Sequence, residues 1–190
     1  MKRLKVKIKE ELIEHCKLQN ILYDIGKRHD YNGNDEQQLS GMIGQSVIMD
    51  FFGLGYFDGS SGPDNGVDLT YKGKTYDVKT MKRHVDVKDH YANNFYKVQE
   101  NYNVDGYIFC SRNIKTEELT VCGWIKKEHF FKKAELYKQG KDRYKDNGET
   151  IPLTADNYEI RTDDLNFVNS VADMKMQMIS RWDKNSPFYE

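Results

Sequence analysis

The sequence predicts an α/β domain with a small central mixed β-sheet flanked by helices. Segments in which apolar residues recur every three or four positions indicate helices, and they alternate along the chain with short segments typical of strands. This order of elements favours helices packed against a sheet. The 190 residues can bury one substantial core. We therefore expect a single domain over 1–190, with a helical N-terminal extension over 1–34, a core over 35–137 and a C-terminal extension over 138–190.

The first third of the chain predicts two helices. Apolar residues recur at helical spacing over 4–28, with charged residues between them. A polar break at 31–35 follows, in which Asn34 or Asp35 could cap the next helix. Over 36–52 the apolar residues again form one stripe, and a Gly-Leu-Gly run ends the segment.

The next segment predicts a loop followed by a hairpin. Residues 58–66 are rich in Gly, Ser, Asp and Asn and form the strongest loop signal in the chain. Two short strands, 67–71 and 74–79, then flank the Lys72-Gly73 pair.

The remaining elements are patterned less strongly. We expect a short helix over 92–101, a strand pair over 104–111 and 119–125, an amphipathic helix over 126–137, a charged loop over 138–150, a short strand over 158–160 and a final helix over 164–180.

The cysteines and the N-terminus favour a cytoplasmic protein. Cys16, Cys110 and Cys122 lie far apart in the sequence, and this odd, sparse set is typical of a reducing compartment. The N-terminus is basic but lacks the apolar region of a secretory signal. No apolar run is long enough to cross a membrane, so we expect no membrane partner.

Charge is unevenly distributed, although the net charge is only -1. Residues 2–9 carry five Lys or Arg and no acid, and 126–145 carry eight against three acids. Residues 156–190 carry seven acids against four bases. A basic face of this kind is typical of a surface that binds phosphate. Solvated helix faces in a lysine-rich chain account for the pattern equally well.

The strand pair around Lys72-Gly73 carries the clearest chemical signal. If these two residues form the hairpin turn, Asp68 lies opposite Asp77, and Lys79 lies on the same face. Opposed like charges destabilise a sheet, and one ammonium group is not enough for two carboxylates in a partly desolvated site. A divalent cation bound by oxygen ligands would offset the repulsion.

Other interpretations of these residues exist. Alternating Asp and Lys also occur on exposed hairpins, where they serve solubility alone. His84, Asp86 and His90 could bind zinc, but their spacing fits no standard zinc motif. A histidine-based nuclease motif at Asp89-His90 lacks the second histidine that it requires nearby, so we reject it.

Asp68, followed after eight residues by Asp77-Val78-Lys79, resembles the signature of the PD-(D/E)XK nuclease superfamily. A Pro-Asp pair also precedes Asp68, although the hairpin register favours Asp68 as the metal ligand. The resemblance extends over about residues 38–137 and is closest to the small restriction-endonuclease-like, Holliday-junction-resolvase-like members, many of them encoded by phages.

In this superfamily an upstream helix usually supplies a Glu within a G-x-x-G-E run. The matching run here contains Gly41 and Gly44 and carries Gln45 at the Glu position. Each glycine costs a helix about 1 kcal/mol relative to alanine, and close approach of this helix to the hairpin would explain both. We expect that approach to bring Gln45 towards the carboxylates; tight packing without chemistry is the alternative.

The resemblance implies a restriction-endonuclease-like fold and a DNA endonuclease that uses Mg²⁺ or Mn²⁺. Asp68, Asp77 and the Val78 carbonyl would bind the metal, and Lys79 would steer the attacking water or stabilise charge on the phosphate. Four residues that follow would contact flanking phosphates, unless they form an ordinary solvated loop: Thr80, Lys82, Arg83 and His84.

The biological role follows from the same resemblance. It implies a structure-selective or junction-resolving enzyme in the cytoplasm of a bacterium or a phage-infected host, and a homodimer is left open. The alternative is a DNA-binding protein that retains the nuclease fold with weakened or absent catalysis, because Gln45 adds no charge with which to hold a cation.

Overall fold

The computed structural model describes residues 2–23, 34–61, 66–144 and 150–179. Within these ranges the chain forms four α-helices and three β-sheets, so the predicted mixed α/β class is confirmed. The helices are α1 (Glu10–Tyr23), α2 (Asp35–Phe51), α3 (Lys127–Lys133) and α4 (Val171–Ile179), and the strands are β1 (Lys5–Lys7), β2 (Leu69–Tyr71), β3 (Lys74–Arg83), β4 (Ala92–Tyr96), β5 (Gly106–Asn113), β6 (Glu118–Lys126), β7 (Glu135–Tyr137), β8 (Asp142–Tyr144), β9 (Thr150–Pro152) and β10 (Asn157–Arg161).

The central sheet has five strands in the order β1-β6-β5-β3-β2. Strands β3 and β5 are parallel and the other neighbours are antiparallel, so the sheet is mixed. A second sheet has the order β4-β10-β7, and β8 pairs with β9.

The central sheet separates two apolar clusters. The helix face packs against α1, α2 and α4, and the second-sheet face packs against β4, β10 and α3. Side chains alternate along a strand, so neighbouring residues of β3 and β5 point to opposite layers. Tyr76, Val78 and Ile108 belong to the helix face, whereas Tyr107 and Phe109 belong to the second-sheet face.

The predicted helix over 4–28 is wrong at its start. Residues Lys5–Lys7 form β1, which pairs with β6 at the edge of the central sheet, and α1 begins only at Glu10. Pairing with a distant strand overrides the helical spacing of Leu4 and Ile8. The N-terminal segment therefore supplies both an edge strand of the central sheet and the helix α1. The predicted residues 24–28 lie outside the described residues.

The predicted helix over 36–52 and the hairpin are confirmed. Asn34 caps α2: its side chain accepts a hydrogen bond from the Gln37 amide, and the Gln37 side chain accepts one from the Asn34 amide. At the hairpin turn, Lys72 and Gly73 both have positive φ, 50° and 75°, which matches the right-handed twist of the flanking strands.

Two predicted helices are shortened or replaced. Residues in the predicted helix 92–101 form β4 and a short 3-10 turn, because β4 pairs along its whole length with β10. The predicted helix 126–137 ends as α3 at Lys133, and β7 follows because it pairs with the other edge of β10.

The C-terminal segment is built into the domain. The predicted loop 138–150 contains β8 and the start of β9, and the predicted strand 158–160 is confirmed as β10. Only the second half of the predicted helix 164–180 forms α4, and the Trp124 indole donates a hydrogen bond of 2.9 Å to Gln177 on it. No helix in the described ranges combines the length and apolar character needed to cross a membrane.

Candidate active site

The hairpin has the predicted register. Tyr71 pairs with Lys74, Thr70 with Thr75, and Leu69 with Tyr76. Asp68 precedes the first residue of β2, so this register places it beside Asp77.

Asp68 is bound to β3 on both sides of Asp77. Its amide donates to the Tyr76 carbonyl at 3.0 Å, and its Oδ2 accepts from the Val78 amide at 2.6 Å. The carboxylate thus supplies the hydrogen bond that a further residue of β2 would have made. This contact fixes Asp68 at the point where β2 begins.

Asp77 and Lys79 form a buried ion pair on the second-sheet face. The Lys79 ammonium lies 2.8 Å from Asp77 Oδ2, and the two side chains are 18% and 2% exposed. The contact lacks hydrogen-bond geometry, so Asp77 Oδ2 has no hydrogen-bonding partner among the described residues. The ammonium also lies 5.6 Å from the centre of the Phe95 ring, a cation–π distance. We call these two residues the Asp77–Lys79 pair.

The hairpin offers oxygen donors, the ligand type that hard divalent cations prefer. Among the described residues, Asp77 Oδ2 is a buried carboxylate oxygen without a hydrogen-bond partner, and Asp68 places a second carboxylate beside Asp77. The N–H and C=O of one strand residue point the same way, so the Val78 carbonyl faces the Asp68 side. Mg²⁺ is commonly held by one or two carboxylates and keeps several waters. Across the described ranges, no three His, Cys, Asp or Glu side chains lie close enough together to hold a metal.

The predicted close approach of α2 to β3 is confirmed: a Cβ on Gly44 would lie 1.8 Å from Thr80 Oγ1. Thr80 belongs to the helix face, and the Asp77–Lys79 pair points to the opposite face. This contact therefore does not itself bring α2 onto the face of the pair. The roles expected of Gln45 at the carboxylates and of Thr80 at DNA stay predictions.

The other three residues expected to contact phosphates differ in exposure. The Arg83 guanidinium binds groups of the protein itself. Its Nη2 donates to the Ala92 carbonyl at 2.6 Å, and the guanidinium lies 5.0 Å from the centre of the Tyr91 ring. Burial lowers the pKa of Arg83. Lys82 is half-buried, and His84 is exposed.

Sequence reasoning missed two residues near the pair. Tyr107 is the neighbour of Asp77 in the β3–β5 register and is fully buried. Glu100 follows β4 and accepts a hydrogen bond of 3.2 Å from the Tyr158 hydroxyl. Burial, Asp77 and Glu100 together raise the pKa of Tyr107 well above its ordinary value. Only the pairing of strands distant in sequence places these groups together, and no local motif signals it.

The basic segment 2–9 is largely neutralised by acids of the same chain. Arg3 lies 2.9 Å from Asp89, and Lys5 lies 2.9 Å from Asp86. A further acid, on β6, lies 2.8 Å from Lys5. This edge of the sheet is therefore a network of ion pairs and not a free basic face.

Segment 126–145 has lysines that are less neutralised by nearby acids than those of segment 2–9. Lys132 and Lys133 are exposed in the last turn of α3, the helix that packs on the second-sheet face. Within the part of the chain that the structure describes, neither forms an ion pair.

The alternative zinc site is not formed. Asp86 accepts from Asn113 at 2.9 Å and from Lys5 at 2.9 Å, so its carboxylate is already engaged. Among the described residues, neither His84 nor His90 belongs to a group of three His, Cys, Asp or Glu side chains that could hold a metal.

The three cysteines are buried thiols. Burial raises the pKa of Cys16 and Cys110, and that of Cys122 to about 11. None of them is therefore a ready nucleophile.

Comparisons of the chain with protein-family models, with curated proteins and with solved structures each found no match.

Proposed function

We propose that this protein is a Mg²⁺- or Mn²⁺-dependent DNA endonuclease with a restriction-endonuclease-like core. The observation that carries the proposal is the Asp77–Lys79 pair, with Asp68 bound to the backbone on both sides of it. Two carboxylates and one ammonium on one hairpin are the groups that metal-assisted phosphodiester hydrolysis requires.

Each residue has a distinct role in this proposal. Asp68 and Asp77, with the Val78 carbonyl, would hold the cation, which supplies a water of lowered pKa and neutralises the scissile phosphate. Lys79, whose ammonium lies beside Asp77 Oδ2, would stabilise charge on the phosphate. Lys79 keeps some solvent exposure, so substrate would approach from its side.

A cleavage assay tests the proposal. The protein is incubated with Mg²⁺ or Mn²⁺ and supercoiled, linear, single-stranded and four-way DNA. We expect metal-dependent cleavage that Asp77→Asn lowers at least about 100-fold, since a neutral amide replaces a metal ligand. Asp50→Asn on the exposed end of α2 is the matched control and should cleave normally. Equal cleavage by Asp77→Asn and wild type would exclude the hairpin as the active site.

A second candidate is a DNA-binding protein without catalysis. The burial of Asp77 and the position of α2 on the opposite face favour it, because no third carboxylate of the described residues joins the site. Calorimetric titration with Mg²⁺ separates the two candidates. The nuclease should bind Mg²⁺ in a manner that Asp77→Asn abolishes, whereas the binding module should bind DNA without any requirement for metal.

A further inference from the structure

Tyr107 carries a buried hydroxyl without a hydrogen-bond partner among the described residues. The side chain is fully buried, and Tyr107 is the direct neighbour of Asp77 across the parallel strands. Asp77 Oδ2 likewise has no hydrogen-bond partner in the described part of the chain. Buried polar atoms are rarely left unsatisfied, and active sites are where such exceptions collect.

Packing does not explain the hydroxyl. The Tyr107 ring lies 4.8 Å from Phe95, 5.0 Å from Phe130 and 6.2 Å from Phe131, measured between ring centres. A phenylalanine would make the same ring contacts without burying an unpaired polar atom. A hydroxyl at this position therefore indicates a polar role.

A tyrosine hydroxyl is protonated at neutral pH, so the Tyr107 hydroxyl can donate a hydrogen bond to a carboxylate.

We propose that Tyr107 is a positioning residue for Asp77: its hydroxyl donates a hydrogen bond to the carboxylate when Asp77 binds a divalent cation. This inference rests on the proposed function. A hydrogen bond of this kind orients a metal-binding carboxylate, and the loss of such a partner commonly weakens metal binding about 10- to 100-fold.

Tyr107→Phe tests the inference, with Mg²⁺ as the probe and Tyr76→Phe as the matched control. Tyr76 is also a buried tyrosine of the central sheet, but it lies on the helix face. We expect Tyr107→Phe to weaken calorimetric Mg²⁺ binding about tenfold or more. Its melting temperature without metal should stay equal to wild type or rise, because the lost hydroxyl has no partner. Tyr76→Phe should leave Mg²⁺ binding unchanged.

The outcomes separate the inference from the proposed function. A wild-type protein that neither binds Mg²⁺ nor cleaves DNA overturns both. A wild-type protein that binds Mg²⁺ with the same affinity as Tyr107→Phe overturns the inference and leaves the nuclease proposal standing. If Tyr107→Phe binds weakly and melts lower than Tyr76→Phe, the hydroxyl has a structural role and the inference is again overturned.

Discussion

Asp77 depends on Lys79 for the opposite charge that makes its burial tolerable. Lys79→Met leaves the carboxylate buried without a counter-charge, and we expect it to lower the free energy of unfolding by about 3–5 kcal/mol. Urea unfolding measures this change. The double variant Asp77→Asn/Lys79→Met should recover most of the loss, because it buries no unpaired charge.

Lys74→Met is the matched control for this experiment. Lys74 is the first residue of β3, the strand that also carries Lys79. It forms an ion pair of 2.8 Å with Asp105, but these two side chains are 59% and 39% exposed. Water solvates both groups after the substitution, so stability should change little. If Lys79→Met is no more destabilising than Lys74→Met, the Asp77–Lys79 pair is hydrated in solution.

At the scale of elements, the two glycines of α2 make opposite predictions. Gly44 packs directly on Thr80, and a Cβ there would meet Oγ1 at 1.8 Å and the Thr80 Cβ at 2.8 Å. We expect Gly44→Ala to lower the free energy of unfolding by about 1–3 kcal/mol, because α2 must move away from β3. Denaturant unfolding measures the change.

Gly41→Ala, on the same helix, is the control for Gly44→Ala. No atom lies within 4 Å of a Cβ at Gly41, so alanine should raise stability by about 1 kcal/mol through its higher helix propensity. If both substitutions were stabilising, α2 would not contact β3 as closely as described.

The attachment of β1 should be sensitive to acid. The pKa of Asp86 is lowered mainly by a hydrogen bond from Asn113, and also by one from Lys5. Hydrogen bonds from Lys5 and Thr116 lower the pKa of Glu118. Such a carboxyl has a lower pKa in the folded chain than in the unfolded chain. It stabilises the fold at pH values above its unfolded pKa, which is about 4, and this stabilisation is lost as the pH falls through its folded pKa.

We therefore expect the melting temperature to fall below about pH 4 and Asp86→Asn to make that fall shallower, because the variant has no such proton to take up. Melting curves from about pH 5 to about pH 2 measure it. Asp163→Asn, in an exposed pair with Arg161, is the control. Equal acid sensitivity of Asp86→Asn and wild type would exclude this contribution.

At the scale of the whole molecule, local chemistry was readable from the sequence and distant pairing was not. The hairpin register follows from a two-residue turn at Lys72-Gly73, and the α2 cap follows from Asn34, so both were predictable. Strand β1 was not, because its pairing with β6 contradicts a local spacing that fits a helix.

The candidate site likewise has a part that the local sequence predicts and a part that depends on long-range strand pairing. Asp68, Asp77 and Lys79 lie on one hairpin, so their shared face follows from strand alternation alone. Tyr107 and Glu100 reach this site only through the parallel pairing of β3 with β5 and the second sheet. The side of the sheet on which α2 packs is likewise a property of the whole fold.

The charge distribution of the folded chain refines where DNA should bind. Arg3, Lys5 and Lys9 of segment 2–9 are paired with acids. Lys132 and Lys133, in contrast, are exposed on the helix that packs over the second-sheet face, the face of the Asp77–Lys79 pair. If DNA reaches that face, its affinity should fall steeply with salt despite the net charge of -1.

We expect Lys132→Ala/Lys133→Ala to make the slope of log affinity against log salt concentration shallower by about 1 to 2, since each phosphate contact contributes about 0.9. Lys9→Ala/Lys17→Ala removes the same charge from lysines that are paired with acids near α1, so its slope should match wild type. Fluorescence anisotropy with a labelled duplex at several salt concentrations measures all three slopes. Equal effects of the two double variants would mean that DNA responds to net charge alone, and a flat wild-type slope would exclude a phosphate-binding face altogether.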